Sequence, residues 1–288
     1  MSGLELARFA LYADLGVAFG VPAAALLTRV GVCPARWMVT AAILVGLPLS
    51  VIGYLLTVAE MAGSGLADLD WQLVRELATT TSVGWAFVAR SAALVLALML
   101  SLAAPARAGW RIFPSAMALA SLAWSGHAAA SEGALALPRL VADIVHLLAA
   151  AIWLGALVLF LALLRPSTRA PQAVAAPLER FARVGSVLVA ILILTGLANF
   201  LFLAPIRAWG VNLSTDYGKL LGAKLAVFLG MLMLAALHRF VMVPRLLLDD
   251  STDRPRARLR GSILMELVAA FVILGIVARL GLLDPSMP

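Results

Sequence analysis

The chain has 288 residues, 63% hydrophobic and only 13% charged, with a mean hydropathy of +1.03. A soluble domain carries roughly 25% charged residues, so an ordinary water-soluble fold is excluded and lipid is the solvent for most of this chain. The net charge of +7 is scattered over short connections rather than gathered on one face, which argues against nucleic-acid binding, and the single cysteine, Cys33, excludes an internal disulfide or a Cys-rich metal site.

In chain order, charge-poor windows predict an all-α bundle of eight transmembrane helices in a single polytopic domain over 1–288. The spans fall at about 6–28, 38–60, 83–104, 111–131, 139–164, 183–205, 217–243 and 262–283. The windows 37–59, 144–164 and 184–206 hold no formal charge, and each reaches the roughly 20 residues that one crossing needs. Only helices satisfy their own backbone hydrogen bonds in lipid, and these runs are far too long for barrel strands. The N-terminus lacks the basic-then-apolar pattern with a small-residue cleavage site, so the first apolar stretch is expected to stay as a span.

Arginine placement orients the bundle. With the N-terminus outside, the connections after spans one, three, five and seven hold fourteen basic residues, against six in the outer segments. The positive-inside rule then puts both termini on the periplasmic or extracellular side. The segment 248–260, with three aspartates, four arginines and Pro255, is expected to be a solvated cytoplasmic loop at anionic lipid.

Ionisable groups inside a membrane are costly and face a bundle interior or cavity. Counting from the outer boundaries, Asp14 falls roughly 12 Å deep, Arg90, Lys224 and His146 roughly 10 Å, and His127 roughly 6 Å. Asn199 lies near the outer end of span six. Asp14 and Arg90, at similar depth, are expected to neutralise each other across spans one and three. Lys224 either pairs with Asp143 or a bound anion, or snorkels outward. These four, Asp14, Arg90, Lys224 and Asn199, are expected to shape and charge-balance the bundle.

His127 and His146 carry the sharper signal, because the outer ends of consecutive antiparallel helices lie close together. Imidazole suits copper, iron and zinc. Asp143, three residues before His146 on the same helical face, could coordinate or orient it. Met61 and Met117 are further candidate soft ligands, whereas Met231 and Met233, two apart, cannot share a face. His238, beside Arg239 at the inner end of span seven, is expected at the interface near a helix C-terminus, or else as a cytoplasmic exit ligand. Between the outer cluster and His238 only Met, Trp, Thr195 and backbone carbonyls stand out as ligands, so no continuous path is expected.

The order and spacing of several segments resemble the copper-resistance D family (CopD/PcoD). The match runs from Arg8-Phe-Ala-Leu-Tyr12-Ala-Asp14 ahead of Gly20, through Gly126-His127-Ala-Ala, to Asp143-x-x-His146-Leu-Leu-Ala-Ala-Ala-x-Trp153-Leu-Gly155. It is strongest over 178–283, with Arg180-Phe-Ala-Arg183, Thr195-Gly196, Tyr217-Gly-Lys-Leu-Leu-Gly-Ala-Lys224 and Pro244-Arg245-Leu246. The resemblance covers essentially the whole chain and implies eight spans in the inner membrane, with a role in copper uptake or homeostasis. It also implies a periplasmic copper carrier of the CopC type as donor. His238 departs from the family, where asparagine is more usual.

Three function readings are carried forward. The first is copper transport, most simply import from the periplasm through an outer-half site of His146, Asp143 and His127, with copper as Cu(I) or Cu(II). The chain has no P-loop, and neither ATP-driven pumping by this chain alone nor an enzyme activity is expected. The alternatives are a haem-binding oxidoreductase resembling the HemJ-like membrane oxidases, with histidines as axial ligands, and a non-transporting copper-binding partner of the periplasmic carrier.

Overall fold

The computed structural model describes residues 1–31, 36–103, 108–125, 135–165, 171–203, 215–244 and 253–283. Among them are nine α-helices and no strand: α1 (Gly3–Leu27), α2 (Arg36–Ala62), α3 (Trp71–Thr80), α4 (Ser82–Ala103), α5 (Ile112–Ala120), α6 (Ala136–Leu163), α7 (Pro171–Leu203), α8 (Asp216–Leu237) and α9 (Asp253–Leu280). Seven of these, all but α3 and α5, are long and apolar enough to cross a membrane. The fourth expected span, 111–131, is described only to Ser125, as α5 continued by a tight 3-10 stretch over Ser121–Ser125.

Local chemistry sets the helix ends. Ser2 and Glu5 close a reciprocal capping box at the start of α1, with Ser2 N donating to Glu5 Oε2 at 2.9 Å and Glu5 N donating to Ser2 Oγ at 3.2 Å. At its other end Thr28 Oγ1 donates back to the Ala24 carbonyl at 2.6 Å, and Arg29, at φ 57°, turns the chain away. Thr215 caps α8 by accepting from Gly218 N at 3.1 Å. Below Leu237, α8 widens into a π-helical turn over His238–Met242.

α1 is the centre of the bundle, packing on α2, α5, α6 and α9. Gly20 and Gly155 make its crossing with α6 possible: a Cβ on Gly20 would run into the Ala151 backbone, and one on Gly155 into that of Gly20. Bare backbones let two helices approach more closely than side chains allow. One buried core joins α1, α2, α4, α5 and α6, and a second is built mainly from α6, α7, α8 and α9. α6 belongs to both.

Arginines tie the helix ends together on one side. Arg180 donates to the Thr28 carbonyl at 3.2 Å, and Arg239 donates to the Ala182 carbonyl at 3.2 Å and to Ser186 Oγ at 2.7 Å. The end of α1, the start of α7 and the end of α8 therefore share one face of the bundle. At the opposite face the Arg8 guanidinium packs against Gly281, which brings the beginning of α1 and the residues after α9 together.

Three elements differ from expectation. The connection between spans two and three contains the amphipathic helix α3, capped by Asp70, whose carboxylate accepts from Gln72 N at 2.8 Å. Tyr54 of α2 anchors it, donating to the Val74 carbonyl at 2.8 Å while stacking on Phe87 of α4 with ring centroids 4.5 Å apart. α7 starts at Pro171, twelve residues ahead of the expected boundary at 183. α9 starts at Asp253, so 253–260 is helix rather than loop, and the rest of that expected loop, 248–252, lies outside the described residues.

Candidate functional site

The ends of α6, α7 and α8 near Ala136, Leu203 and Asp216 bring four of the expected residues together, Asp143, His146, Asn199 and Lys224. Asp143 and His146 lie one turn apart on α6 and face α7. Asn199 Nδ2 donates to Asp143 Oδ1 at 2.6 Å. Thr195, one turn from Asn199, places Oγ1 2.9 Å from His146 Nδ1 and donates to the Ile191 carbonyl at 2.6 Å. A hydroxyl has one proton to give, so the bond to Ile191 leaves Thr195 an acceptor toward the ring. The Thr195 contact thus assigns the proton to Nδ1 and the lone pair to Nε2. The ring edge lies against Gly196, where the missing side chain leaves room for it.

Lys224 of α8 is within electrostatic reach of both Asp143 and His146. A cation in that position balances the Asp143 carboxylate in a medium that cannot solvate it. Tyr217, two turns earlier on α8, also lies near Asp143 and Arg139. The outer cluster is therefore a half-buried group of one imidazole, one carboxylate, one ammonium and their hydrogen-bond partners.

Other expected site residues are elsewhere. His127 lies outside the described residues. Met61 and Met117 are 59% and 49% exposed and are not gathered beside His146. Met231 is buried while Met233 is exposed, as their two-residue spacing requires. Among the described residues no three His, Cys, Asp or Glu side chains cluster as a metal site would. None places a second imidazole opposite His146, as axial haem ligation would require, because His238 is engaged elsewhere.

The expected Asp14–Arg90 ion pair is not among the ion pairs of the described residues. Arg90 is buried and donates instead to Ser50 Oγ at 3.1 Å and Ser121 Oγ at 3.5 Å, linking α4 to α2 and to the stretch after α5. Asp14 faces Gly46, one turn from Ser50, and its Oδ2 is buried without a hydrogen-bond partner. Equal depth does not fix the direction in which two helices turn their side chains.

A second buried polar group was missed in the sequence. Glu266, in the first half of α9, is only 1% exposed. Trp153 Nε1 donates to its Oε1 at 2.7 Å, and its Oε2 lies 3.2 Å from His238 Nδ1. His238 Nε2 is 2.7 Å from Ser262 Oγ. His238 is thus drawn toward α9 by Ser262 and Glu266, and the buried polar groups there are not confined to the expected Met, Trp, Thr195 and carbonyl groups. The available signal was Glu266 itself, the sole charged residue in 261–278.

Fold and cluster together define a multi-pass, all-α membrane protein with polar side chains held inside its bundle. Residues 1–137 match the family described as copper resistance protein D-like, N-terminal domain, and residues 175–280 match copper resistance protein D. The chain is 36% identical to copper resistance protein D of Pseudomonas syringae pv. tomato over 97% of its own length and 96% of that protein's. It is 32% identical to the inner membrane protein YebZ of Escherichia coli (strain K12) over 57% of this chain and 55% of that one. No solved structure matches. The chain belongs to the copper resistance protein D family and is a multi-pass inner-membrane protein with a role in copper homeostasis.

Proposed function

We propose that the protein carries copper inward across the inner membrane and that copper enters through the outer-half cluster of α6, α7 and α8. The observation that carries this reading is the His146–Thr195 contact at 2.9 Å, which turns Nε2 into a lone-pair donor one turn from Asp143. Metal-binding imidazoles are held in this way, with one nitrogen fixed by a hydrogen bond and the other left for the metal. Both termini lie outside, eight helices cross the membrane, and His127 supplies a further imidazole to the entry site.

Each partner has a task. Asn199 orients the Asp143 carboxylate. Lys224 compensates Asp143 while the site is empty, so that binding a cation exchanges one electrostatic partner for another. Asp14, and Arg90 through Ser50 and Ser121, shape the N-terminal helices and do not touch the ion. The protein moves copper without transforming it, and a periplasmic copper carrier of the CopC type delivers it to the outer face, where α3 lies.

Metal content and an optical spectrum, measured on wild type, His146→Ala and His127→Ala purified after growth in copper, test this reading. One copper equivalent in the wild type that either substitution removes, with folding intact, is expected. A Soret band without copper in the wild type would overturn it in favour of haem.

A further inference from the structure

A second group of polar side chains lies further along the bundle from the Asp143–His146 cluster. Glu266 of α9, His238 of the π-helical turn after α8, Ser262 of α9 and Trp153 of α6 converge there from three helices. Trp153 lies two turns beyond His146 along α6, about 10 Å deeper. On α8, Lys224, Met231 and His238 recur every seven residues, the spacing that keeps one face of a helix toward its neighbours. Met231, 5% exposed and in the same buried core as Trp153, is a soft thioether between the two groups.

The geometry points to a cation site between His238 and Glu266. We propose that this pair binds a copper ion on its way inward, His238 through Nδ1 and Glu266 through Oε2. Two considerations carry the proposal. Oε2 of Glu266 is buried and stands 3.2 Å from His238 Nδ1, its ion-pair neighbour among the described residues, so a buried carboxylate there needs a proton or a cation between the two atoms. With metal–ligand bonds of about 2.0 Å, the edge of a tetrahedron is about 3.3 Å, so one ion reaches both atoms without moving either helix.

The surroundings are built to hold these two atoms in place. Ser262 engages Nε2 of His238 at 2.7 Å, fixing the ring with Nδ1 toward the carboxylate. Trp153 occupies Oε1 of Glu266 at 2.7 Å, which leaves Oε2 as the donor. Trp153 and Ser262 are positioning residues, the second shell that orients a metal ligand. The π turn matters as well, because the extra residue in a π-helical turn reorients the side chains that follow it and such turns occur at functional sites.

This site rests on the copper-transport reading, but it can fail separately. The test is equilibrium dialysis of the full-length protein in nanodiscs against Cu(I) under ascorbate and against Cu(II), counting copper per chain. The wild type is compared with Glu266→Gln, His238→Gln, Trp153→Phe and His146→Ala, and folding is checked by gel filtration and thermal melting. Glutamine at 266 keeps the acceptor for Trp153. If Glu266→Gln does not fold, His238→Gln carries the test.

The expected result is a second copper equivalent in the wild type. Glu266→Gln and His238→Gln each lose it, His146→Ala keeps it, and Trp153→Phe retains the count with affinity weakened about tenfold. If the Glu266 and His238 variants bind as much copper as wild type, or if the wild type binds none, the inference is overturned. Copper lost only on His146→Ala would remove the inner site and leave the outer one standing. Copper lost only on Glu266→Gln and His238→Gln would leave the inner site and remove the outer reading.

Discussion

Thr195 and His146 form the contact that gives the outer cluster its chemical direction. The hydroxyl stands 2.9 Å from Nδ1 and commits its own proton to the Ile191 carbonyl at 2.6 Å, so the imidazole presents Nε2 as a base. Thr195→Val keeps the shape and removes the acceptor. Copper affinity, measured by competition with a chromophoric chelator, is expected to fall about tenfold or more, with Thr195→Ser restoring it.

Gly20 and Gly155 hold α1 against α6 with no space for a side chain, because a Cβ on either would meet backbone atoms of the other helix. Backbone cannot rotate out of the way as the end of a flexible side chain can. Gly155→Val is expected to destabilise the protein by about 3 kcal/mol or to prevent folding. Gly230→Ala, where nothing lies within 4 Å of the new methyl, serves as the neutral or mildly stabilising control. Thermal melting in detergent distinguishes the two.

Arg90 makes a directed pair of hydrogen bonds to Ser50 and Ser121 from a buried position. A lysine keeps the charge but loses the planar array of donors. Arg90→Lys is expected to cost about 2 kcal/mol, the range for a buried polar network left partly unsatisfied, and Asp14→Asn distinctly less. Equal losses in the two variants would argue for a direct coupling between Arg90 and Asp14.

Tyr54 fastens α3 to the bundle through one hydrogen bond to the Val74 carbonyl. Tyr54→Phe preserves the stacking on Phe87 and removes that bond. Amide hydrogen exchange across 71–80 is expected to quicken by a factor of about 5, corresponding to about 1 kcal/mol, while exchange in α1 and α6 stays unchanged.

Periodicity and charge carried most of the architecture. Uncharged windows such as 37–59 and 144–164 exceed the length of a crossing, and α2 and α6 cover them. α3 was not legible because Trp71–Thr80 has no long apolar window; its stability comes from Tyr54 and Phe87, which lie on other helices. In the outer cluster, the one-turn spacing of Asp143 and His146 is a property of a single helix and was readable. Their partners Thr195 and Asn199 lie about 50 residues away, and only packing brings them to those atoms. The Asp14–Arg90 expectation failed for the same reason: depth can be counted along a sequence, whereas rotation about the helix axis is decided by neighbours. Glu266 and His238 are 28 residues apart and sit on two helices, so neither position announces the other.

Copper accumulation inside right-side-out inner-membrane vesicles tests the central claim most directly. Vesicles with the wild-type protein, the His146→Ala variant or no added protein are given radiocopper at the outer face, with and without a membrane-permeant chelator in the lumen to trap what enters. The account predicts time-dependent luminal copper with the wild type, and accumulation no greater than in the protein-free vesicles with His146→Ala, at matched protein levels. Undiminished accumulation in the His146→Ala vesicles, or wild-type vesicles that accumulate no more than protein-free ones, would contradict it.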